Sequence, residues 1–399
     1  MTAYSREEAA KRAGVDPDYL ARLAGLGILA PDEGGRFSPG DVRRVLMVQA
    51  LEGAGIPLED LGAALQRGDL SLAFMDTASF EKWASLSDVT FRELSARTGV
   101  PVELLMVIRE AVGSAQPQPE DRVREDELAI VPFIEQQVAY GFHSIAIERL
   151  LRVQGDSLRR MADSEADWWR SEVITPALEA GQGADEIANV EFAARLVALG
   201  EQAMLAMYHA QQTHAWTANI IEGFEILMAK AGLRSRLERP PAMCFLDITG
   251  YTRLTQERGD AAAAELAAQL ARLVQRTSVQ HGGRPIKWLG DGVMFFFKDP
   301  GPGVMAALDM VDGVGVAGLP PEHVGLHAGP VIFQEGDYYG QTVNLASRIA
   351  EYARPGEVLV SQEVADASEG AGVIFTELGP VELKGVSGPM RLHTAHRLA

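Results

Sequence analysis

The chain has 399 residues, an apolar fraction of 47% and a formal net charge of −19 at neutral pH. This length predicts two or three domains, and the acidic balance argues against a nucleic acid or an anionic membrane as the main partner. The single cysteine, Cys244, rules out internal disulfides and is typical of a reducing compartment. The first residues are polar rather than a signal peptide, and no apolar run approaches the roughly 20 residues of a membrane span. We therefore expect a cytoplasmic protein.

Residues 1–86 are predicted to form a module of short helices around a glycine-rich wing, Asp32–Gly35. The first helix opens at the cap Ser5–Glu8. Three more helices are expected at Tyr19–Leu26, near Gly40–Gly53 and near Pro57–Gln66. The phrases Ala9-Ala10…Gly14-Val15…Leu20 and Arg36 to Val42 resemble the winged helix-turn-helix module of MerR-type regulators. Acidic residues outnumber basic ones in this module, whereas a DNA-binding domain usually concentrates positive charge. We therefore favour contact with a protein and keep DNA binding as the alternative.

The same layout recurs about 85 residues later. Phe91–Pro101 parallels Tyr4–Asp16, and the turn at Tyr140–Phe142 parallels Ala54–Ile56. Such a repeat predicts a duplicated helical module, with chance similarity among Ala- and Leu-rich helices as the alternative. The Pro- and Gln-rich stretch at 114–120 is expected to be a loop.

Residues 87–232 are predicted to continue as a helical regulatory domain that ends in a long helix, about Asp185–Lys230. Apolar side chains recur along that helix at steps of three and four. They include Leu205, Trp216, Ile220, Phe224 and Leu227. A helix of this length before a second domain favours a dimerising, signal-carrying element, and a core helix of the N-terminal domain is compatible with the same pattern. Residues 233–241, with two prolines, are the predicted linker.

From 242 to 399 the pattern predicts an α+β domain with helices packed on a mostly antiparallel sheet. Strands are expected at Ala242–Leu246, Pro285–Trp288, Val293–Phe297, Val324–Ala328 and Glu357–Val360, with two more in the tail Val373–His396. Helices are expected at Ala261–Gln280, Gly303–Val314 and Thr342–Tyr352, and a hairpin at Val331–Asp337.

Two acids mark the chemistry of this domain. Asp247 follows a buried strand and precedes a small, hydroxyl-rich turn, and Asp291 lies on a glycine-flanked turn between two further strands. Two carboxylates presented side by side by neighbouring strands suit a pair of divalent cations.

Three motifs in this domain resemble the signature of class III nucleotide cyclases. They are Asp247 to Thr252, Lys287 to Gly292, and Asp337 to Arg348, in the order and at the spacing typical of that family. The resemblance implies a ferredoxin-like catalytic domain that binds two Mg²⁺ or Mn²⁺ ions through Asp247, Asp291 and the Ile248 carbonyl. It also implies that the turn Thr249, Gly250, Tyr251, Thr252 cradles the phosphates with backbone N–H groups.

The same resemblance assigns roles to the remaining site residues. Lys287 and Asp337 would read the adenine edge as donor and acceptor, which favours ATP over GTP. Asn344 would orient the ribose, and Arg348, four residues along the same helix face, would stabilise charge at the α-phosphate. Lys384 is a further candidate for the terminal phosphates. Pro330 stands where some members carry Arg, which puts one secondary phosphate contact in doubt.

These motifs predict an adenylate cyclase that converts ATP to 3′,5′-cyclic AMP and pyrophosphate. In the family the two halves of each site face each other across a dimer interface, so a head-to-tail homodimer with two sites is expected. The helical region resembles the pH-sensing regulatory part of actinobacterial soluble adenylate cyclases, and His209 and His214 are candidate sensors, with an apolar ligand as an alternative effector. The alternatives for the whole chain are a catalytically silent, nucleotide-sensing transcription regulator and a guanylate cyclase.

Overall fold

The computed structural model describes residues 3–76, 80, 83–183, 191–233, 240–289, 292–317 and 319–398. The chain divides into two compact units, Met1–Glu222 and Gly223–Ala399, and each is described by itself. Within the described ranges we find no helix with the length and apolar character that crossing a membrane requires.

The first unit begins with a four-helix module. Its helices are α1 Arg6–Ala13, α2 Pro17–Gly25, α3 Pro39–Gly53 and α4 Leu58–Arg67. The predicted cap of α1 is confirmed, because the Ser5 hydroxyl accepts from the Glu8 amide and the Glu8 carboxylate accepts from the Ser5 amide. Tyr4 and Phe37 pair as an isolated antiparallel bridge, which closes the segment over a core that includes Leu20 and Leu23.

A second module follows with a similar order of elements. It consists of β1 Leu86–Thr90, α5 Phe91–Thr98, α6 Val102–Ala111, β2 Arg122–Arg124, α7 Glu125–Leu128, α8 Val131–Ala139 and α9 Ser144–Trp169. Like the Tyr4–Phe37 bridge, β1 and β2 pair antiparallel on either side of two helices. Here Pro132 opens α8, so α7 and α8 together occupy the position of α3. This shared order is what a duplication requires, and the winged helix-turn-helix assignment stays a prediction.

The helical unit continues through α9 into one turn of π-helix at Arg170–Ile174, then α10 Thr175–Glu179 and, further along the chain, the long helix α11 Glu191–Lys230. Pro176 has no N–H to donate, which accounts for the irregular turn just before it. The predicted start of the long helix, Asp185, lies outside the described residues. The five stripe side chains predicted on α11 are all more than half exposed, so they do not pack into a core formed by the described residues.

The α+β domain contains a seven-stranded sheet. Its strands are β3 Ala242–Ile248, β4 Gly283–Leu289, β5 Gly292–Phe297, β6 Glu322–Ala328, β9 Val358–Ser361, β10 Val373–Val381 and β11 Met390–Arg397. Its helices are α12 Tyr251–Arg258, α13 Asp260–Gln280, α14 Pro300–Val316, α15 Gln341–Tyr352 and α16 Gln362–Ala367. A small hairpin is formed by β7 Ile332–Gln334 and β8 Asp337–Tyr339.

The strand order is β10-β11-β9-β6-β3-β5-β4. The segment β3-α13-β4-β5-α14-β6 is therefore a βαββαβ unit with spatial order 4-1-3-2, the ferredoxin-like arrangement. Each described pair in this sheet is antiparallel except β6 with β9, so the predicted mostly antiparallel α+β sheet is confirmed.

Alternation along β3 divides its side chains between two faces. Cys244, Leu246 and Ile248 face the main core, which also contains residues of α13 and α14. Met243 lies on the opposite face in a smaller cluster with Met294, Tyr338 and Ala346. Asp247 is four residues beyond Met243, so it shares the face that β8 and α15 cover.

Candidate active site

Asp247 lies one residue before the end of β3, opposite Gly292 of β5 and His323 of β6. Its side chain is 45% exposed, so the carboxylate reaches an opening at the strand end. A Cβ at position 292 would lie 3.2 Å from Oδ1 of Asp247 and 3.0 Å from the Leu246 carbonyl. Gly292 therefore gives the carboxylate room that a larger residue would take.

The second predicted metal ligand, Asp291, lies outside the described residues, as does Gly290. The strand residues on either side are described: Leu289 pairs with Gly292, and Gly292 pairs with Asp247. The end of β4 and the start of β5 are therefore in register with the end of β3. Among the residues that the structure describes, no three His, Cys, Asp or Glu side chains are grouped as a metal-ligand set.

The turn after Asp247 leads directly into α12. Gly250 adopts φ 77°, a conformation that suits glycine, and α12 begins at Tyr251. The amide of Thr249 donates to the Pro321 carbonyl at 2.9 Å, which leaves the predicted N–H cradle to Gly250 and the residues after it. The side chains of Tyr251 and Thr252 lie outside the described part of the chain.

The structure brings together the two residues predicted to read the base. Lys287 on β4 donates to Oδ2 of Asp337, the first residue of β8. The hairpin that presents Asp337 turns through Glu335 and Gly336, both at positive φ (55° and 78°), as a type I′ hairpin turn requires.

Neighbouring aromatic contacts fix that hairpin to the sheet. Tyr338 stacks on Phe296 with ring centroids 4.5 Å apart, and Arg284 donates to the Tyr338 hydroxyl at 3.1 Å. The amide of Tyr338 donates to Oδ1 of Asp337 at 2.8 Å. The carboxylate of Asp337 thus accepts from the Tyr338 amide at one oxygen and from Lys287 at the other.

Asn344 and Arg348 lie one turn apart on α15, as predicted. The Arg348 guanidinium donates to both carboxylate oxygens of Glu351 at 2.6 Å, and Asn344 is exposed. A Cβ on Gly325 would lie 2.1 Å from the Ala350 nitrogen, so α15 packs directly against the backbone of β6.

Lys384 lies in an exposed turn between β10 and β11, at the sheet edge farthest from Lys287.

Two residues at the start of β6 were not predicted from the sequence. The His323 imidazole places Nε2 3.6 Å from Oδ2 of Asp247 and Nδ1 3.2 Å from the Thr249 hydroxyl. Glu322, opposite Ile248, is buried, and burial raises the pKa of its carboxyl to about 8. Neither residue carried a motif, and only the β3–β6 pairing reveals their position.

An open cavity of about 700 Å³ lies elsewhere on the same domain, lined by residues that include His327, Tyr339 and Thr342. His327 is buried, and its Nδ1 is 2.8 Å from the Ser361 hydroxyl. Burial lowers the pKa of His327, against the opposing effect of the nearby Glu363. Asp247, Lys287, Asp337, Asn344 and Arg348 are not part of this lining.

Two family models match the chain. Residues 322–397 match the adenylate and guanylate cyclase catalytic domain, and residues 39–212 match the adenylate cyclase regulatory domain. The first range contains Asp337, Asn344 and Arg348, whereas Asp247 and Lys287 precede it. The second range includes parts of both predicted helical modules. Together the matches confirm the predicted resemblance of the C-terminal part to a nucleotide cyclase catalytic domain and of the helical part to an adenylate cyclase regulatory domain.

Several known proteins are similar to this chain in sequence. A pH-sensitive adenylate cyclase of Mycobacterium tuberculosis is 28% identical over 77% of this chain and 78% of its own length. An uncharacterised protein of Mycobacterium bovis is 28% identical over 62% of this chain, and the alignment spans 63% of that relative. An adenylate cyclase of Streptomyces coelicolor is 34% identical over 33% of this chain and 34% of its own length.

Among solved structures, the adenylyl cyclase CyaB of Pseudomonas aeruginosa covers 39% of this chain and 93% of its own, at 23% identity and a TM-score of 0.36. A monomeric adenylate cyclase of Trypanosoma brucei covers 41% of this chain and 91% of its own, at 22% identity and the same TM-score of 0.36.

Proposed function

Because this chain combines a class III cyclase catalytic domain with an adenylate cyclase regulatory domain, we propose that it converts ATP to 3′,5′-cyclic AMP and pyrophosphate. The observation that carries the choice of ATP is the contact between Lys287 and Asp337. A cationic donor beside a carboxylate acceptor complements an edge that offers both an acceptor nitrogen and an amino group, as adenine does.

Divalent cations fit the donor chemistry that the described residues offer. The Asp247 carboxylate is a hard oxygen ligand at an open strand end, and Gly292 leaves space beside it. We propose that Asp247, the Ile248 carbonyl and Asp291 hold two Mg²⁺ or Mn²⁺ ions per site. When bound, such ions favour ionisation of the ribose 3′-hydroxyl and stabilise charge on the departing pyrophosphate.

The chain's other residues would then bind and orient the nucleotide. Lys287 and Asp337 would bind the base, and Asn344 would fix the ribose so that its 3′-oxygen lines up with the α-phosphorus. Arg348 would stabilise charge that develops on the α-phosphate, which requires its guanidinium to exchange Glu351 for phosphate oxygens. The turn from Thr249 to Thr252 and Lys384 would contact the remaining phosphates.

We propose that the working form is a head-to-tail homodimer with two sites, since one chain carries both halves of the family's site. The exposed stripe of α11 is a candidate contact between the two copies. We also propose that the helical region regulates the catalytic domain, in response to protons or an apolar ligand. His209 and His214, the candidate sensors, are exposed residues of α11. The MerR-like module would contact protein rather than DNA. The single cysteine supports a cytoplasmic location.

One assay tests the activity and its alternatives. The purified full chain is given Mn²⁺ and either ATP or GTP, and cyclic product is measured from pH 5 to 9. Cyclic AMP from ATP is the expected result, and Asp291→Ala should abolish it without unfolding the protein. Cyclic GMP alone would identify a guanylate cyclase, and no product with either nucleotide would identify a catalytically silent nucleotide sensor.

A further inference from the structure

His323 connects two parts of the proposed metal and phosphate site. It stands directly opposite Asp247 in the β3–β6 pairing, and its side chain is only 14% exposed. One ring nitrogen faces Oδ2 of Asp247 at 3.6 Å, and the other lies 3.2 Å from the hydroxyl of Thr249. A mostly buried ring between these two groups has little freedom to turn away from either.

The two contacts are compatible with one tautomer of the imidazole ring. When the Thr249 hydroxyl donates to Nδ1, the ring N–H lies on Nε2, the nitrogen that faces the Asp247 carboxylate. The ring lies beside Oδ2 at 3.6 Å, a polar contact rather than a hydrogen bond, and so occupies the space on that side of the carboxylate. Oδ1 meanwhile faces Gly292, the first described residue after Asp291.

We infer that His323 is a positioning residue, which holds the Asp247 carboxylate in the orientation that binds a divalent cation and couples it to Thr249. This inference rests on the proposed cyclase function. Groups that orient a metal-binding carboxylate commonly contribute 10- to 100-fold to metal affinity. His323 acts through Asp247 and needs no contact with the nucleotide.

The test compares His323→Gln, which keeps an N–H donor at about the reach of Nε2, with His323→Asn and His323→Leu, which do not. Mn²⁺ binding is measured by titration calorimetry with 3′-deoxy-ATP, which has no 3′-hydroxyl to react, and the Mn²⁺ dependence of cyclic AMP formation is measured beside it. The matched control is His281→Leu, because His281 also contacts an aspartate, Asp309, at 2.6 Å but sits at the far end of α13 from this turn.

We expect His323→Leu and His323→Asn to bind Mn²⁺ about 10-fold more weakly or worse, and His323→Gln to stay within about threefold of the parent protein. The His281→Leu variant should keep parental Mn²⁺ affinity even if its melting temperature falls. Equal Mn²⁺ affinity in the Gln and Asn variants overturns the inference, and that comparison still decides if the Leu variant does not fold. A parent protein that forms no cyclic AMP overturns the proposed function instead. Mn²⁺ binding to the protein is measured with an analogue that cannot react, so it tests the role of His323 even when no cyclic AMP forms.

Discussion

Lys287 and Asp337 contact each other although they lie on separate elements, strand β4 of the main sheet and strand β8 of the small β7–β8 hairpin. The Asp337 side chain is mostly buried, while Lys287 is 40% exposed. The pair thus has one anchored partner and one that can move. A nucleotide base entering this place would find an oriented carboxylate and a cation able to turn towards it.

Exchanging the two charges tests whether this pair selects the base. In the double variant Lys287→Asp with Asp337→Lys, the ion pair survives, but the donor and acceptor change places. We expect kcat/KM for ATP to fall by at least about 100-fold, because a mismatched base leaves polar groups unpaired. The ratio of kcat/KM for GTP to that for ATP should rise, since an acceptor at position 287 complements the N–H groups of guanine.

Thermal melting is the control for this exchange, and the double variant should unfold within a few degrees of the parent. An exchanged protein that folds and keeps its full preference for ATP would show that the pair is only structural.

Replacing Asp247 tests the metal assignment. Asp247→Asn keeps the shape of the side chain but removes the charge, and turnover should fall about 100-fold or more at saturating ATP. The control is Asp312→Asn, since Asp312 is an exposed acid of the same domain that pairs with Arg397. Cyclic AMP formation in both variants is compared over a range of Mn²⁺ concentrations. Equal activity in the two would contradict a metal-binding role for Asp247.

The sequence predicted the elements of this domain closely where local signals were strong. The helix that carries Asn344 and Arg348 was expected at Thr342–Tyr352 and is observed at Gln341–Tyr352. Long amphipathic segments and glycine-bounded strands define themselves locally. The short helix α16 was not predicted, because six residues are too few to show a period.

Features that depend on strand pairing could not be predicted from the sequence. His323 gained its proximity to Asp247 only when β6 was placed next to β3, and Glu322 would be expected on the surface by residue type alone. The exposure of the α11 stripe likewise reflects tertiary packing, since the same spacing serves a core helix or a dimer contact. Local patterns fix which residues share a face, but not which element covers that face.

Gly325 provides a test of how the sheet positions α15. A Cβ there would lie 2.1 Å from the backbone nitrogen of Ala350, so Gly325→Ala must push the helix outward. We expect a loss of about 1–3 kcal/mol in the free energy of unfolding. The kcat should also fall, because Asn344 and Arg348 move with the helix.

Gly315→Ala is the matched control for this change. A Cβ at Gly315, on α14, meets nothing within 4 Å, and alanine there should stabilise the helix by up to about 1 kcal/mol without affecting kcat. Urea unfolding and steady-state kinetics measure both quantities. An unchanged kcat in a folded Gly325→Ala protein would contradict the proposed roles of the two α15 side chains.

Glu322 makes stability depend on pH. Its carboxyl is buried without a hydrogen-bond partner among the described residues, and its pKa is raised from 4.5 to about 8 by burial. Between these values the folded state holds a proton that the unfolded state has lost. Stability is therefore expected to fall as pH rises from about 5 to 8, by up to about 1.4 kcal/mol per pH unit.

The variant Glu322→Gln should remove this part of the pH dependence and be the more stable protein at pH 8. Its midpoint of urea unfolding is compared with that of the parent at pH 5.5, 7 and 8, with Glu382→Gln, an exposed residue of the same domain, as the control. Parallel curves for the parent and the Glu322→Gln variant across this range would show that Glu322 is not held protonated by the fold.

The exposed stripe of α11 gives the last test, which concerns the homodimer. Trp216 and Phe224 lie two helical turns apart on one face, and both are more than half exposed. Burying two such aromatic side chains between two copies would contribute several kcal/mol to association. The double variant Trp216→Ser with Phe224→Ser should weaken dimerisation by at least about 100-fold, and specific activity should fall when the protein is diluted.

Gln211→Ser with Ala218→Ser is the control, because these positions lie roughly on the other side of the helix axis. Sedimentation velocity over a concentration series measures the dimer dissociation constant, and cyclic AMP formation is followed at the same concentrations. Both stripe substitutions create serine on an exposed helix surface, so the monomer should stay folded. A stripe variant that remains as dimeric as the control would assign the contact between copies to another surface, and an active monomer would contradict the shared site itself.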